Sequence, residues 1–324
     1  MRPLPPVEAP EAPGPSIDWP GTLQAHLPWQ VVDQFIEGAE AMRAGFEEHF
    51  ARPFANGPEH QVWDYWHVPE QYTYLRTQPA KVLGPELVQA FTQQLRHFAL
   101  TRLGLSTVTH PLLSLYVDGC RQGLHNDAAN GSMAYVHSLT RWESRRFEGG
   151  ETQVFHQVDY WRDGLYRQPG AGTRYFELIP SLFNRLVLFD DRLAHAVPEL
   201  HGSMDPRQGR LVLHGHLRAG GLLLQGGAGE VALPVLEALR ESLNDIVTRA
   251  TDACDGVLTL NCPVSADGTT GPAGVLLDRV FDGDGRQAVW PGLEPVLTLL
   301  ARTRLPAAPV GGLLTVPVPL VPEG

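Results

Sequence analysis

His125 and Asp127 flank a single asparagine, so an imidazole and a carboxylate fall two positions apart. In an extended segment both would project from one face. The pair alone is weak evidence, because a chain with many His and Asp supplies such spacings by chance. Downstream, His195 arrives in NRLVLFDDRLAHAVPEL, a β-run leading into a turn. Two imidazoles and one carboxylate form a facial ligand set that suits Fe(II) and leaves positions open for a bidentate oxo-acid and oxygen. A closed zinc site would want a fourth protein ligand, usually Cys, and only Cys120 lies in the neighbourhood. Beyond His195 stands Arg210, heading the run RLVLHGHL. Buried there, its guanidinium could grip a distal carboxylate with two parallel bonds, a geometry Lys cannot match. An Arg that opens a strand is ordinarily a solvated edge residue; its place behind a His-x-Asp and a second His favours the functional reading. If Arg210 faces inward, alternation carries Val212, His214 and His216 to the same side, where the two histidines line a substrate pocket or pack as a polar layer.

The elements that must hold these residues are legible as periodicities. From Trp29 to Phe50, apolar residues advance by three or four, the mark of one amphipathic helix, and a second runs from Pro85 through Leu87, Phe91, Leu95 and Phe98. Between them, VWDYWHVPEQYTYL reads as an aromatic packing segment in preference to a substrate-binding one. From residue 107 onward, short apolar runs are separated by Gly, Asn and Asp, which signals antiparallel strands. Helices followed by strands predict an α+β fold in which helices brace a sandwich or barrel. GGLLLQGGAG, within 220–230, reads as a Gly-rich linker to a small α+β domain over 231–324. That domain should comprise a helix through Leu236, Leu239, Leu243 and Ile246, a strand pair, a helix near Glu294 and a final strand. Residues 1–16 are so rich in Pro that they read as a flexible tail, leaving 17–219 as the catalytic domain.

Composition narrows the function. The 324 residues are 43% apolar and 19% charged, enough for substantial cores. A net charge of -11 without any Lys/Arg run argues against nucleic acid as a partner. Three cysteines without paired spacing read as ordinary thiols of a reducing compartment, and with neither an apolar leader nor a spanning segment the expected location is cytoplasmic, with no membrane span.

SLYVDGCRQGLHNDAANGSMAYVHSL, FEGGETQVF, NRLVLFDDRLAHAVPEL and GRLVLHGHL, in that order, resemble the prolyl-hydroxylase-like branch of the 2-oxoglutarate and Fe(II)-dependent dioxygenases. The resemblance implies a double-stranded β-helix (jelly-roll) core braced by N-terminal helices. His125, Asp127 and His195 would bind iron, and Arg210 the co-substrate carboxylate. Tyr116 and His137 fall at further co-substrate contact positions, although core packing serves Tyr116 equally well and His is not the family's usual residue at the second. The implied reaction is hydroxylation of an unactivated C–H bond of an amino acid, a proline-like peptidyl residue or a small metabolite, releasing succinate and CO2, with ascorbate as an accessory reductant. Related halogenases vacate the carboxylate position for chloride; Asp127 fills it, which disfavours halogenation. Substrate choice would lie in loops such as HQVDYWRDGLYRQPGAGTRYFEL, where Tyr160, Trp161 and Tyr166 read as a lid or as surface packing. The C-terminal region resembles, more weakly, TonB-type C-terminal domains, implying a protein partner recruited along a strand edge. Two alternatives stand beside this reading: a non-redox metal-dependent hydrolase, which would have no use for Arg210, and a binding scaffold acting through the C-terminal module.

Overall fold

The computed structural model describes residues 23–51, 62–156, 175–250, 254–283 and 285–320. The N-terminal tail and the lid candidates Tyr160, Trp161 and Tyr166 fall outside them.

The short apolar runs pair into a 12-stranded sheet whose neighbours are antiparallel. From one edge its order is Trp29–Val32, Leu186–Asp190, Met133–Ser138, Arg210–Arg218, Leu112–Tyr116, Tyr72–Thr77, Arg121–His125, His195–Val197, Thr152–Phe155 and Phe176–Ile179. Arg210 and Thr152 stand several strands apart in that order, yet their side chains are hydrogen-bonded. The sheet therefore curls back on itself and encloses a cavity, the architecture expected of a jelly-roll core.

The expected helix from Trp29 to Phe50 is corrected. Trp29–Val32 is an edge strand in register with Leu186–Asp190, the chain turns at Gln34 with φ of 53°, and only Ala39–Ala51 is helical. The period deceived because Val32, Phe35, Ala39, Met42 and Phe46 all enter one core, whatever backbone carries each. Pro85–Phe98 is a helix as anticipated, burying Val88, Phe91, Leu95 and Phe98 and passing into a turn that ends at Gly104. The aromatic segment between the helices is a hairpin, Asp64–Val68 with Tyr72–Thr77, whose second strand joins the main sheet.

A four-stranded sheet follows in the order Leu223–Gly226, Gly312–Leu320, Cys254–Val264, Gly274–Asp282, covered by the helices Leu233–Ala250 and Leu293–Arg302. Its first strand lies inside the stretch read as a linker. Leu222 and Leu224 anchor that stretch on the second core, which overrides the flexibility its glycines would allow. The two cores meet: Val257 and Leu277 pack with the first, and the Thr259 hydroxyl donates to Leu103 O at 2.6 Å. Cys120, Cys254 and Cys262 are buried free thiols. Among the described residues no helix is long and apolar enough to cross a membrane.

Candidate active site

His125 ends the strand Arg121–His125, and its register partner across the sheet is His195. Cross-strand pairing sets the two imidazole centroids 4.1 Å apart. Asp127 is not on the strand, so the expected shared face is replaced by a turn. Its N–H donates to Asp191 O at 2.8 Å and Asn130 Nδ2 donates to its Oδ1 at 3.0 Å. This leaves Oδ2 3.4 Å from His195 Nε2 and 3.9 Å from His125 Nε2. Each ring turns its Nδ1 to a carbonyl, Gly123 O at 2.8 Å for His125 and Leu193 O at 3.0 Å for His195. A proton held there leaves the Nε2 lone pairs for a metal, the orienting device common to histidine ligands. Donor atoms of the three residues lie within 4.8 Å of one another.

Electrostatics agree with that use. Burial, then the neighbouring His195, lower the His125 pKa and favour the neutral imidazole a metal needs. Burial works against the Asp127 charge, but the hydrogen bond and charge of His195, with His125 and His216, hold its carboxyl well below the usual range. Gln122 Nε2 stands 3.0 Å from His125 Nε2 and its Oε1 accepts from the Tyr116 hydroxyl at 3.1 Å. A metal on His125 would displace that amide contact.

The same cavity, about 610 Å³, reaches Arg210. Arg210 is 1% exposed, donates from Nε to Ser181 Oγ and from Nη2 to Thr152 Oγ1, both at 3.1 Å, and lies over its cross-strand partner Tyr116 at 4.9 Å. Among the described residues no carboxylate comes within ion-pair distance of it. A guanidinium this deep with neutral partners alone is a costly arrangement unless an anion completes it.

Val212, His214 and His216 line the cavity on the face that carries Arg210. His214 bonds Ser114 Oγ at 2.8 Å, and burial, reinforced by Arg76, holds its pKa down at about 3. His216 Nδ1 meets Asp191 Oδ1 at 2.9 Å. Burial opposes the His216 cation, but Asp191 outweighs it and raises the pKa, while burial pushes Asp191 up to about 6. Asp127, Asp191 and His216 form a second group with donor atoms within 4.8 Å, sharing Asp127 with the first. Gly131 makes room for it, since a Cβ there would stand 2.6 Å from Asp191 Oδ2.

His137 is not brought to the cavity. It is wholly buried between Phe35 and Phe91, with Nε2 3.0 Å from Asn184 Oδ1, and is not among the residues of Met133–Ser138 that line the cavity, which are Ala134, Tyr135 and Val136. Its expected contact with the co-substrate is thereby corrected. Tyr72 and Tyr74, in the segment read as packing, and Arg76 just beyond it do line the cavity. Sequence reasoning named none of them as a site residue, nor Thr152, Ser181 and Asp191: Thr152 offered only the alternation of a strand of unknown pairing, while Ser181 and Asp191 lie outside strands and offered no such signal.

No protein-family model matches the chain, and no curated protein matches it. Solved structures similar to it include a prolyl-4-hydroxylase from Pseudomonas putida, 19% identical over 60% of this chain and 94% of that one, with a TM-score of 0.42. Another is a prolyl hydroxylase from Trichoplax adhaerens in complex with a hypoxia inducible factor oxygen degradation domain peptide fragment, 13% identical over 58% and 81%, TM-score 0.40. A third is an oxidoreductase of the 2OG-Fe(II) oxygenase family from Burkholderia pseudomallei, 14% identical over 60% and 89%, TM-score 0.36. None of them supports the TonB-type resemblance of the C-terminal region. Overlap this loose lends no weight to the chemistry, which rests on the side chains.

Proposed function

We propose that the chain is a 2-oxoglutarate-dependent Fe(II) dioxygenase that hydroxylates an unactivated C–H bond of an amino acid, a proline-like peptidyl residue or a small metabolite. The observation that carries this reading is Arg210, a buried guanidinium with no carboxylate in ion-pair distance among the described residues, in one cavity with a two-histidine, one-carboxylate set. A hydrolytic metal site would use the three ligands and have no need of that cation.

His125 Nε2, His195 Nε2 and Asp127 Oδ2 would hold the metal, and the donor set fits Fe(II). Iron with 2-oxoglutarate supplies the oxidising power for the C–H bond, with succinate and CO2 as co-products. The chain's part is positional. Gly123 O and Leu193 O fix the imidazole tautomers, and the Asp191 carbonyl anchors the turn that presents Asp127. Ser181 and Thr152 hold the Arg210 fork, with Tyr116 beneath it, so that a distal carboxylate finds its donors already aligned. Leu211, Leu213 and Val154 seal the surrounding strands against water.

An anaerobic titration with Fe(II) and 2-oxoglutarate tests the reading, monitored by the weak visible charge-transfer band of the chelate and by calorimetry. Wild type should develop the band. Asp127→Ala should lose it along with metal affinity, whereas Arg210→Ala should keep the metal and weaken 2-oxoglutarate by about 100-fold, the scale of a charged bidentate contact. Tight zinc retention with no band and no 2-oxoglutarate binding would overturn the reading.

A further inference from the structure

The cavity holds a second arginine that the co-substrate does not require. Arg76 pairs in register with Ser114, and Ser114 with Val212, so alternation places Arg76 on the face that bears Arg210, one row further along the strands. Its guanidinium is built into place: Cζ lies 4.7 Å from the Trp66 ring and 5.0 Å from the Tyr74 ring, and Nη2 donates to the Tyr74 hydroxyl. Its Nε is buried with no hydrogen-bond partner among the described residues. Asp64, the cross-strand neighbour in the hairpin, does not come within ion-pair distance, and no other described carboxylate does. Trp66 itself is 40% exposed, so the stack stands at the open side of the cavity, whereas Arg210 is sealed within it. Aromatic stacking pre-organises a guanidinium and spares it side-chain entropy on binding, which suits recognition of an oxyanion.

We propose that Arg76 is a specificity-determining residue that binds an anionic group, a carboxylate or a phosphate monoester, on the substrate to be oxidised. This rests on the 2-oxoglutarate reading for the identity of the other ligand in the cavity. The enzyme would then select small acids over the corresponding amides and alcohols. Two cations in one cavity divide the work: Arg210 takes the co-substrate, and Arg76 orients the substrate toward the metal-binding residues.

The test uses the full chain with Mn(II), which occupies the same donors without turnover, and saturating 2-oxoglutarate so that Arg210 is engaged. Matched probes are titrated by ligand-observed NMR and by tryptophan emission: N-acetylglycine against its primary amide, and methyl phosphate against inorganic phosphate. The acids should bind and the amide should not. Arg76→Gln should weaken the acids at least tenfold while leaving the 2-oxoglutarate dissociation constant within twofold, and Arg76→Lys should retain part of the affinity. Preference among the probes separates a carboxylate from a phosphate ester or free phosphate. The proposal is overturned if amide and acid bind equally, if Arg76→Gln binds acids as wild type does, or if it loses 2-oxoglutarate, which would move Arg76 to the co-substrate. Failure of wild type to bind 2-oxoglutarate at all would instead sink the proposed function, and the acid-versus-amide comparison would still decide the role of Arg76.

Discussion

Asp190 is fully buried beside the turn that delivers Asp191 and His195, and two arginines from different parts of the chain neutralise it. Arg192 reaches it from Nε at 2.9 Å and from Nη2 at 2.7 Å, and Arg279, on a strand of the C-terminal sheet, from Nε at 3.0 Å. Arg192 also pairs with Asp255 at 2.6 Å, and Arg279 Nη1 donates to His26 O at 2.8 Å. Replacing Arg279 by Met keeps most of its volume and removes one charged hydrogen bond to Asp190, worth about 1.5–3 kcal/mol, and one ordinary bond, worth about 1 kcal/mol. Because Arg192 still neutralises Asp190, the total should stay near 2–4 kcal/mol, below the full penalty of an abandoned buried charge. Asp190→Asn should cost at least as much, since it leaves two arginines facing each other, and the double variant should cost less than the sum by more than about 1 kcal/mol. Urea denaturation read by fluorescence and far-UV circular dichroism measures this, with coincident transitions licensing a single free energy. The same Arg279→Met variant should lower metal affinity about tenfold, as loss of an outer-shell support does. Strict additivity, or a change below about 0.5 kcal/mol in Arg279→Met, would refute the idea that the C-terminal unit braces the metal-binding turn.

Two further outcomes follow from buried groups elsewhere. Burial holds the His137 pKa near 4, so between the ordinary value of about 6.5 and 4 the unfolded chain takes up a proton that the folded one refuses. Its contribution is intact above pH 6.5 and is lost as pH falls. Compared with wild type, His137→Gln should therefore flatten the fall in urea stability between pH 7 and pH 5 by about 2 kcal/mol, and parallel profiles would exclude this assignment. Gly104 has φ of 66° and an added Cβ would stand 2.7 Å from the Thr259 side chain, so Gly104→Ala should destabilise by roughly 2 kcal/mol in the same assay, whereas an unchanged midpoint would show that the two cores are not tightly joined there.

What the sequence disclosed about this site divides along a physical line. Side-chain alternation is a local property, and it sufficed to put Val212, His214 and His216 on the Arg210 face from the order of residues alone. The closeness of His125 and His195 depends on strand register, which is set by pairing across distant segments; their spacing in sequence contains no trace of it. Asp127 came to the right place for a reason other than the expected one, since a turn fastened to the Asp191 carbonyl presents it where a strand was anticipated. The helix misread at Trp29 shows the converse, because burial in a common core imposes a period on residues that share no backbone conformation. Arg76 was invisible for a third reason: charged residues in strands are ordinarily solvated, and only the closure of the curled sheet turns its side toward a cavity. A strand cation with no carboxylate in ion-pair distance among the described residues can thus be recognised only after folding is known, which is why Arg210 could be suspected from its place in a motif while Arg76, outside any motif, required the structure.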